Sequence, residues 1–78
     1  MPKLPEVSAR EAITALRKIG FQRVSQKGSH IKLQRKRAGK KQIIIIPNHK
    51  VIKKGTLRNG ILKGIPLSVK EFIALLRE

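Results

Sequence analysis

Two histidines, His30 and His49, are the residues of this sequence best suited to moving a proton near neutral pH. The chain has no cysteine, and its four acidic residues lie near the two ends, at Glu6, Glu11, Glu71 and Glu78. Two-metal cleavage of a phosphodiester needs several carboxylates that converge on a cation. Because the carboxylates are so few and confined to the termini, we expect neither a metal site nor a cofactor.

RNA cleavage has other requirements, because the 2′-hydroxyl of RNA attacks the adjacent phosphate once a base removes its proton. An isolated histidine is more often structural or simply exposed. His30, however, has Lys27 and Lys32 nearby in the sequence. These cations disfavour a further positive charge and so favour a neutral imidazole, and they are suited to stabilising a charged phosphate. The surrounding cations therefore favour a catalytic role for His30 more than its position alone does, with a structural or merely exposed histidine as the alternative.

The residues beside His30 have plainer interpretations. Gly28 lets a phosphate approach the backbone. Ser29 is interpreted as a turn residue or a phosphate ligand, because no partners for a serine nucleophile are visible. His49 either donates a proton to the leaving 5′-oxygen or hydrogen-bonds its own loop, and the sequence favours the loop.

The positive charge is concentrated in the middle of the chain. Nineteen Lys and Arg residues against four Asp and Glu give a formal charge of +15, and no acid lies between Ala12 and Lys70. This charge favours a nucleic acid as the binding partner over an anionic membrane surface or an acidic protein. Phosphate contacts are predicted at the tip of a hairpin, from Arg35, Lys36, Arg37, Lys40 and Lys41. Phe21 and Phe72 fit the core, so recognition of the RNA backbone and shape is expected.

The positioning elements follow from capping and periodicity. Ser8-Ala9-Arg10-Glu11 is a capping box for a helix over residues 9–19, which Gly20 ends. Three strands should form an antiparallel meander. We expect residues 27–29 to form the first turn, residues 35–41 the basic tip of the second hairpin, and Pro47 to end the third strand. Thr56 is expected to cap a short helix, Pro66 to break the chain, and Ser68-Val69-Lys70-Glu71 to begin the last helix. We predict one α+β domain over residues 1–78.

Four consecutive isoleucines, at 43–46, depart from the alternation of a sheet with one solvated face. If helices cover only one face, Ile43 and Ile45 point outward. These two side chains are then either ordinary exposed apolar surface or the contact surface for a partner chain. The partner would be an inhibitor protein or a second copy of this chain. This apolar stretch is far too short to span a membrane. With no cysteine and no recognisable signal segment, a cytoplasmic location is expected.

Several segments in order resemble the HicA family of toxin ribonucleases, over nearly the whole chain. They are Leu16-Arg17-Lys18-Ile19-Gly20-Phe21, Lys27-Gly28-Ser29-His30, Ile45-Ile46-Pro47-Asn48-His49, Lys53-Lys54-Gly55-Thr56-Leu57-Arg58 and Leu67-Ser68-Val69-Lys70-Glu71-Phe72. The resemblance implies a fold similar to a double-stranded-RNA-binding domain, with helices on one face of a three-stranded antiparallel sheet. It also implies the toxin of a type II toxin–antitoxin system. Such a toxin is a metal-independent mRNA endonuclease with His30 as catalytic residue, and a HicB-type antitoxin blocks that histidine. The alternatives are a non-catalytic RNA-binding module of the same fold and a protein that binds only an acidic partner.

Overall fold

A helix, three strands and two further helical segments follow one another along the chain in a computed structural model. The structure describes residues 4–62, 64–65 and 67–77. The elements are α1 (Ala9–Arg17), β1 (Gln22–Lys27), β2 (His30–Arg37), β3 (Lys40–Pro47), a π-helix (Thr56–Leu62) and α2 (Val69–Arg77). The order confirms the predicted α-β-β-β-α arrangement with a divided C-terminal helical region.

The N-terminal capping box of α1 is confirmed. The Ser8 hydroxyl accepts a hydrogen bond from the Glu11 backbone N–H at 3.1 Å, and the Ser8 N–H donates to the Glu11 carboxylate at 3.0 Å. Each residue therefore satisfies an amide of the other that the first helical turn leaves unpaired.

The other end of α1 lies at Arg17, two residues before the predicted boundary. Gly20 has a φ of 100°. Its N–H donates to the Arg17 carbonyl, and the Phe21 N–H donates to the Leu16 carbonyl. This pair of bonds around a left-handed glycine is the pattern of a Schellman motif. It turns the chain toward β1 and places Phe21 in the core.

The sheet is antiparallel in the order β1-β2-β3. In β2 and β3 the residue pairs Ile31↔Ile46 and Leu33↔Ile44 are buried. Alternate residues of β3, Ile43 and Ile45, are each 46% exposed. The face that carries Ile31 and Leu33 is called the inner face below, and the opposite face the outer face. The outward position predicted for Ile43 and Ile45 is confirmed.

The core lies between the inner face and the helices. α1 and the π-helix both contact β3, and α1 also packs against α2. Helices therefore cover one face of the sheet, as predicted. Fully buried side chains come from every layer, namely Leu16, Phe21, Leu33, Ile46, Leu57, Ile61 and Phe72.

β1 is the exposed edge of this sheet. All six of its residues are exposed, and its register with β2 shifts between Arg23 and Ser25. The extra residue, Val24, is 51% exposed. Such a bulge bends the strand and increases its twist, and it makes the edge a poorer template for pairing with another chain.

The C-terminal half differs from the sequence prediction in one respect. Residues 54–55 are already helical, and the Leu57 N–H donates to the Lys53 carbonyl at 3.0 Å. Thr56 therefore lies inside the helical segment, and its predicted role as an N-cap is wrong. At the start of α2, the Ser68 hydroxyl accepts from the Glu71 N–H, as expected for a capping residue. Pro66, the predicted break, lies outside the described residues.

Strands β2 and β3 run closer to the tip than predicted, so that only Ala38 and Gly39 form the turn. Both have positive φ, 54° for Ala38 and 78° for Gly39. A two-residue turn with two positive φ values is of type I′, whose twist matches that of the flanking strands. No helix in the described part of the chain is long and apolar enough to cross a membrane.

The Ala38 side chain is costly in this turn, because a left-handed conformation is unfavourable for alanine by about 1–2 kcal/mol. We expect Ala38→Asn to raise the free energy of unfolding by about 1 kcal/mol, since Asn-Gly is the preferred pair for a type I′ turn. Urea unfolding followed by circular dichroism measures the change. Gly39→Ala, the matched control, should lower stability; an Asn variant less stable than the parent would contradict the turn assignment.

Candidate functional site

His30 begins β2 and is exposed on the outer face. It pairs with Lys27 across the two-residue turn Gly28-Ser29. Gly28 has a φ of 59°, and a Cβ built there would meet nothing within 4 Å. The turn therefore needs glycine for its backbone conformation, and the space beside it is open, as the predicted approach of a phosphate requires.

The strand register decides which other residues share the outer face with His30. Cross-strand partners lie on the same face, and the pairs are His30↔Pro47, Lys32↔Ile45, Gln34↔Ile43 and Lys36↔Lys41. The outer face thus carries His30 at one end, two exposed isoleucines in the middle and a lysine pair beside the hairpin tip. Six residues separate the ends, which corresponds to about 20 Å of strand.

Both histidines lie in one cleft at the end of the outer face. The cleft has a volume of about 350 Å³ and is lined by His30, Ile45, Pro47, His49, Lys53 and Thr56. The end of β3 brings the two histidines together, because Pro47 lies opposite His30 and His49 follows two residues later. No spacing rule in the sequence indicated this juxtaposition.

Backbone hydrogen bonds fix the segment that carries His49. The Asn48 N–H donates to the Ser29 carbonyl at 2.6 Å, which joins this segment to the turn before His30. The His49 N–H donates to the Pro47 carbonyl at 2.8 Å, and its carbonyl accepts from the Ala9 N–H at 3.0 Å. His49 therefore stabilises its loop through the backbone and lines the cleft as well, so the two interpretations from the sequence are compatible.

Lys53 and Thr56 are cleft residues that the sequence analysis did not single out. They lie just before and inside the helical segment that packs against β3. The only signal in the sequence was their place in Lys53-Lys54-Gly55-Thr56, one of the segments that carry the family resemblance. Lys53 adds a cation to the cleft, and Thr56 adds a hydroxyl that can donate to or accept from a phosphate.

The predicted phosphate-binding residues divide between the two faces of the sheet. Lys32, Lys36 and Lys41 lie on the outer face with His30, by the alternation of the strands. Arg37 and Lys40 pair with each other on the side of the sheet that the helices cover. Both are exposed near the tip. The tip is therefore basic on both sides, but only its outer side is continuous with the histidine cleft.

Arg35 is the one predicted phosphate ligand that the structure removes from the surface. It is 7% exposed and lies on the inner face. Its Nε donates to the Gln42 side-chain carbonyl at 2.7 Å, another guanidinium nitrogen donates to the Ile19 carbonyl at 2.9 Å, and its Cζ lies 4.6 Å from the centre of the Phe21 ring. Burial, and then repulsion from Arg37, lower the pKa of Arg35. These contacts leave it unsuited to binding a phosphate, so its prediction is corrected.

No group of three or more histidine, cysteine, aspartate or glutamate side chains within the described ranges is placed to hold a metal ion. The cleft offers imidazoles, a lysine and a hydroxyl. This set of groups is suited to proton transfer and to binding an anion.

Comparison with known proteins gives one match. The family model described as the HicA toxin of bacterial toxin–antitoxin matches residues 9–64, which include α1, the whole sheet, the π-helix and all the cleft residues. Neither the curated proteins nor the solved structures gave a significant match.

The buried position of Arg35 predicts a structural role. Arg35→Ala removes both hydrogen bonds and the contact with Phe21, so we expect the free energy of unfolding to fall by about 2–3 kcal/mol. Lys36→Ala, the adjacent exposed control, should change it by no more than about 0.5 kcal/mol. Denaturant unfolding of both variants tests this, and equal stabilities would show that Arg35 does not hold the hairpin to the core.

Proposed function

Since this chain belongs to the HicA toxin family, we propose that it is a metal-independent endoribonuclease that cleaves mRNA, with His30 as a catalytic residue. The observation that carries the proposal is the cleft at the end of the outer face, where His30 lies with a second histidine and a lysine. Lys27 and Lys32 lie next to His30 on the same sheet face. Proton transfer and phosphate binding are therefore available at one place.

The chemistry follows from the substrate. His30 acts as a base that takes the proton of a ribose 2′-hydroxyl, and the resulting oxygen attacks the adjacent phosphorus. The bond from phosphorus to the 5′-oxygen breaks, which leaves a 2′,3′-cyclic phosphate on one product and a 5′-hydroxyl on the other. Lys27 lies opposite His30 on β1, and Lys32 follows two residues later on β2, so both share the outer face with His30 and can stabilise charge on the phosphate.

RNA binding is assigned to the outer face. Phe21 and Phe72 are the only Phe, Tyr or Trp residues of the chain, and both are buried. Bases therefore have no exposed aromatic ring of these types on which to stack. Lys32, Lys36 and Lys41 offer contacts to successive phosphates instead, so that affinity depends on charge and strand geometry more than on base identity.

The partner expected for a HicA toxin is a HicB-type antitoxin. Ile43 and Ile45 form an exposed apolar strip between the cleft and the lysine pair. A protein that covers this strip with apolar side chains and surrounds it with carboxylates would block His30 and neutralise the lysines at the same time. The alternative partner for this strip is a second copy of the chain, which would associate through β3. We propose that the toxin acts in the cytoplasm, where mRNA is its substrate.

The catalytic assignment is tested by cleavage of a structured mRNA in the presence of EDTA. We expect the wild type to cleave and His30→Ala to be slower by roughly 10²–10⁴-fold, since that is the usual contribution of a general base or acid. RNA affinity, measured by fluorescence anisotropy, should stay nearly unchanged because the lysines remain. Thr14→Ala, on an exposed part of α1, serves as the control.

Other results of this experiment distinguish the alternatives. Cleavage by His30→Ala at the parental rate would refute the assignment. RNA binding without any product from the wild type would identify a non-catalytic RNA-binding module. Negligible RNA affinity at about 0.15 M salt would leave an acidic protein as the partner.

The two sides of the hairpin tip provide a matched pair of variants for the binding face. Lys36→Ala with Lys41→Ala removes two charges from the outer face, and Arg37→Ala with Lys40→Ala removes two from the other side. We expect the outer-face variant to weaken RNA binding more, and to reduce the slope of log K against log salt by roughly 1.4–1.8. Anisotropy titrations at several salt concentrations measure both quantities. Equal losses would mean that the tip binds RNA without regard to the face.

A further inference from the structure

We infer that His49 is a second catalytic residue, the acid that protonates the leaving 5′-oxygen, and this inference rests on the proposed ribonuclease function. The sequence alone favoured a purely local role for His49. The structure places it in the same cleft as His30, with Lys53 as the cleft cation. Apart from the two histidines, Lys53 is the only cleft residue with an ionisable side chain, and an ammonium is a weaker acid than a protonated imidazole.

The proton balance of the reaction requires a proton donor at the leaving 5′-oxygen. One bond forms, from the 2′-oxygen to phosphorus, and one breaks, from phosphorus to the 5′-oxygen. His30 gains the proton of the 2′-hydroxyl, and the 5′-oxygen, a poor leaving group as an alkoxide, must gain a proton as it departs. A single imidazole cannot hold its captured proton at the 2′ side and release it at the 5′ side in the same step. The His49 side chain donates the second proton.

The positions of the two histidines suit this division. His30 and Pro47 are cross-strand partners on one face, and such partners have Cα atoms about 4.5–5.5 Å apart. His49 lies two residues beyond Pro47, so the two imidazoles approach the cleft from neighbouring chain segments. We place the phosphate between the two histidines, with its attacking oxygen toward His30 and its leaving oxygen toward His49. Lys53 lines the same cleft, so it adds positive charge near the phosphate, where negative charge increases in the transition state.

The His49 backbone is held rigidly, as precise proton transfer requires. Its N–H donates to Pro47, its carbonyl accepts from Ala9, and the preceding residue Asn48 is bonded to Ser29. These are backbone bonds, so replacement of the imidazole leaves them in place. A change at His49 is therefore expected to affect the reaction without unfolding the site.

The test uses an RNA oligonucleotide with one cleavable linkage in two forms, with either oxygen or sulfur as the bridging 5′ atom. A thiolate leaves without being protonated, so the sulfur form does not need an acid. We expect His49→Ala and His49→Gln to slow cleavage of the oxygen form by roughly 10²–10⁴-fold and to cleave the sulfur form at close to the wild-type rate. His30→Ala should be slow on both forms. Lys54→Ala, which removes a neighbouring charge outside the cleft, is the control.

Three results would overturn the inference. If the His49 variants cleave the oxygen form at the wild-type rate, His49 is not a catalytic group. Variants that are equally slow on both forms have lost something other than an acid. Sulfur rescue of His30→Ala in place of His49→Ala would reverse the two roles. If the wild type cleaves neither form although it binds the RNA, the proposed ribonuclease function itself fails.

Discussion

The register of the β2–β3 hairpin is the constraint on which the rest of the molecule depends. The strands pair without interruption from His30↔Pro47 to Arg37↔Lys40, and a two-residue turn with two positive φ values fixes the pairing. Since successive side chains point to opposite faces, a slip of one residue would bury His30 and expose Ile31. The packing of four buried aliphatic side chains against the helices prevents that slip. The packing interactions that stabilise the core therefore also keep the proposed catalytic face exposed to solvent.

The distribution of charge also depends on this alternation. A formal charge of +15 on 78 residues opposes a compact state through self-repulsion. Among the residues that the structure describes, Arg35 is the one buried cation, and it has two hydrogen-bond acceptors and an aromatic ring around it. A buried guanidinium without such partners would cost several kcal/mol. An anionic partner on the outer face would relieve the remaining repulsion, so binding and stability should be coupled.

Local signals in the sequence predicted the elements well, because capping boxes, glycine stops and strand alternation act between near neighbours. Ser8 with Glu11 and the outward Ile43 and Ile45 belong to this group. The failures involve distant contacts. Arg35 was predicted to lie in a basic hairpin tip, but the two-residue turn makes it the sixth of the eight residues of β2 and places its guanidinium over Phe21. Lys53 lies in the cleft only because the helical segment after β3 folds back on the sheet.

The way the cleft is assembled explains why its geometry could not be predicted from the sequence. Three separate parts of the chain meet there through backbone bonds: the turn at Ser29, the end of β3, and the first turn of α1 at Ala9. Backbone donors and acceptors are present in every residue, so no residue type marks these junctions. They nevertheless hold His49 beside His30 without using either imidazole. Neither imidazole takes part in these bonds, so both side chains remain available for the proposed chemistry.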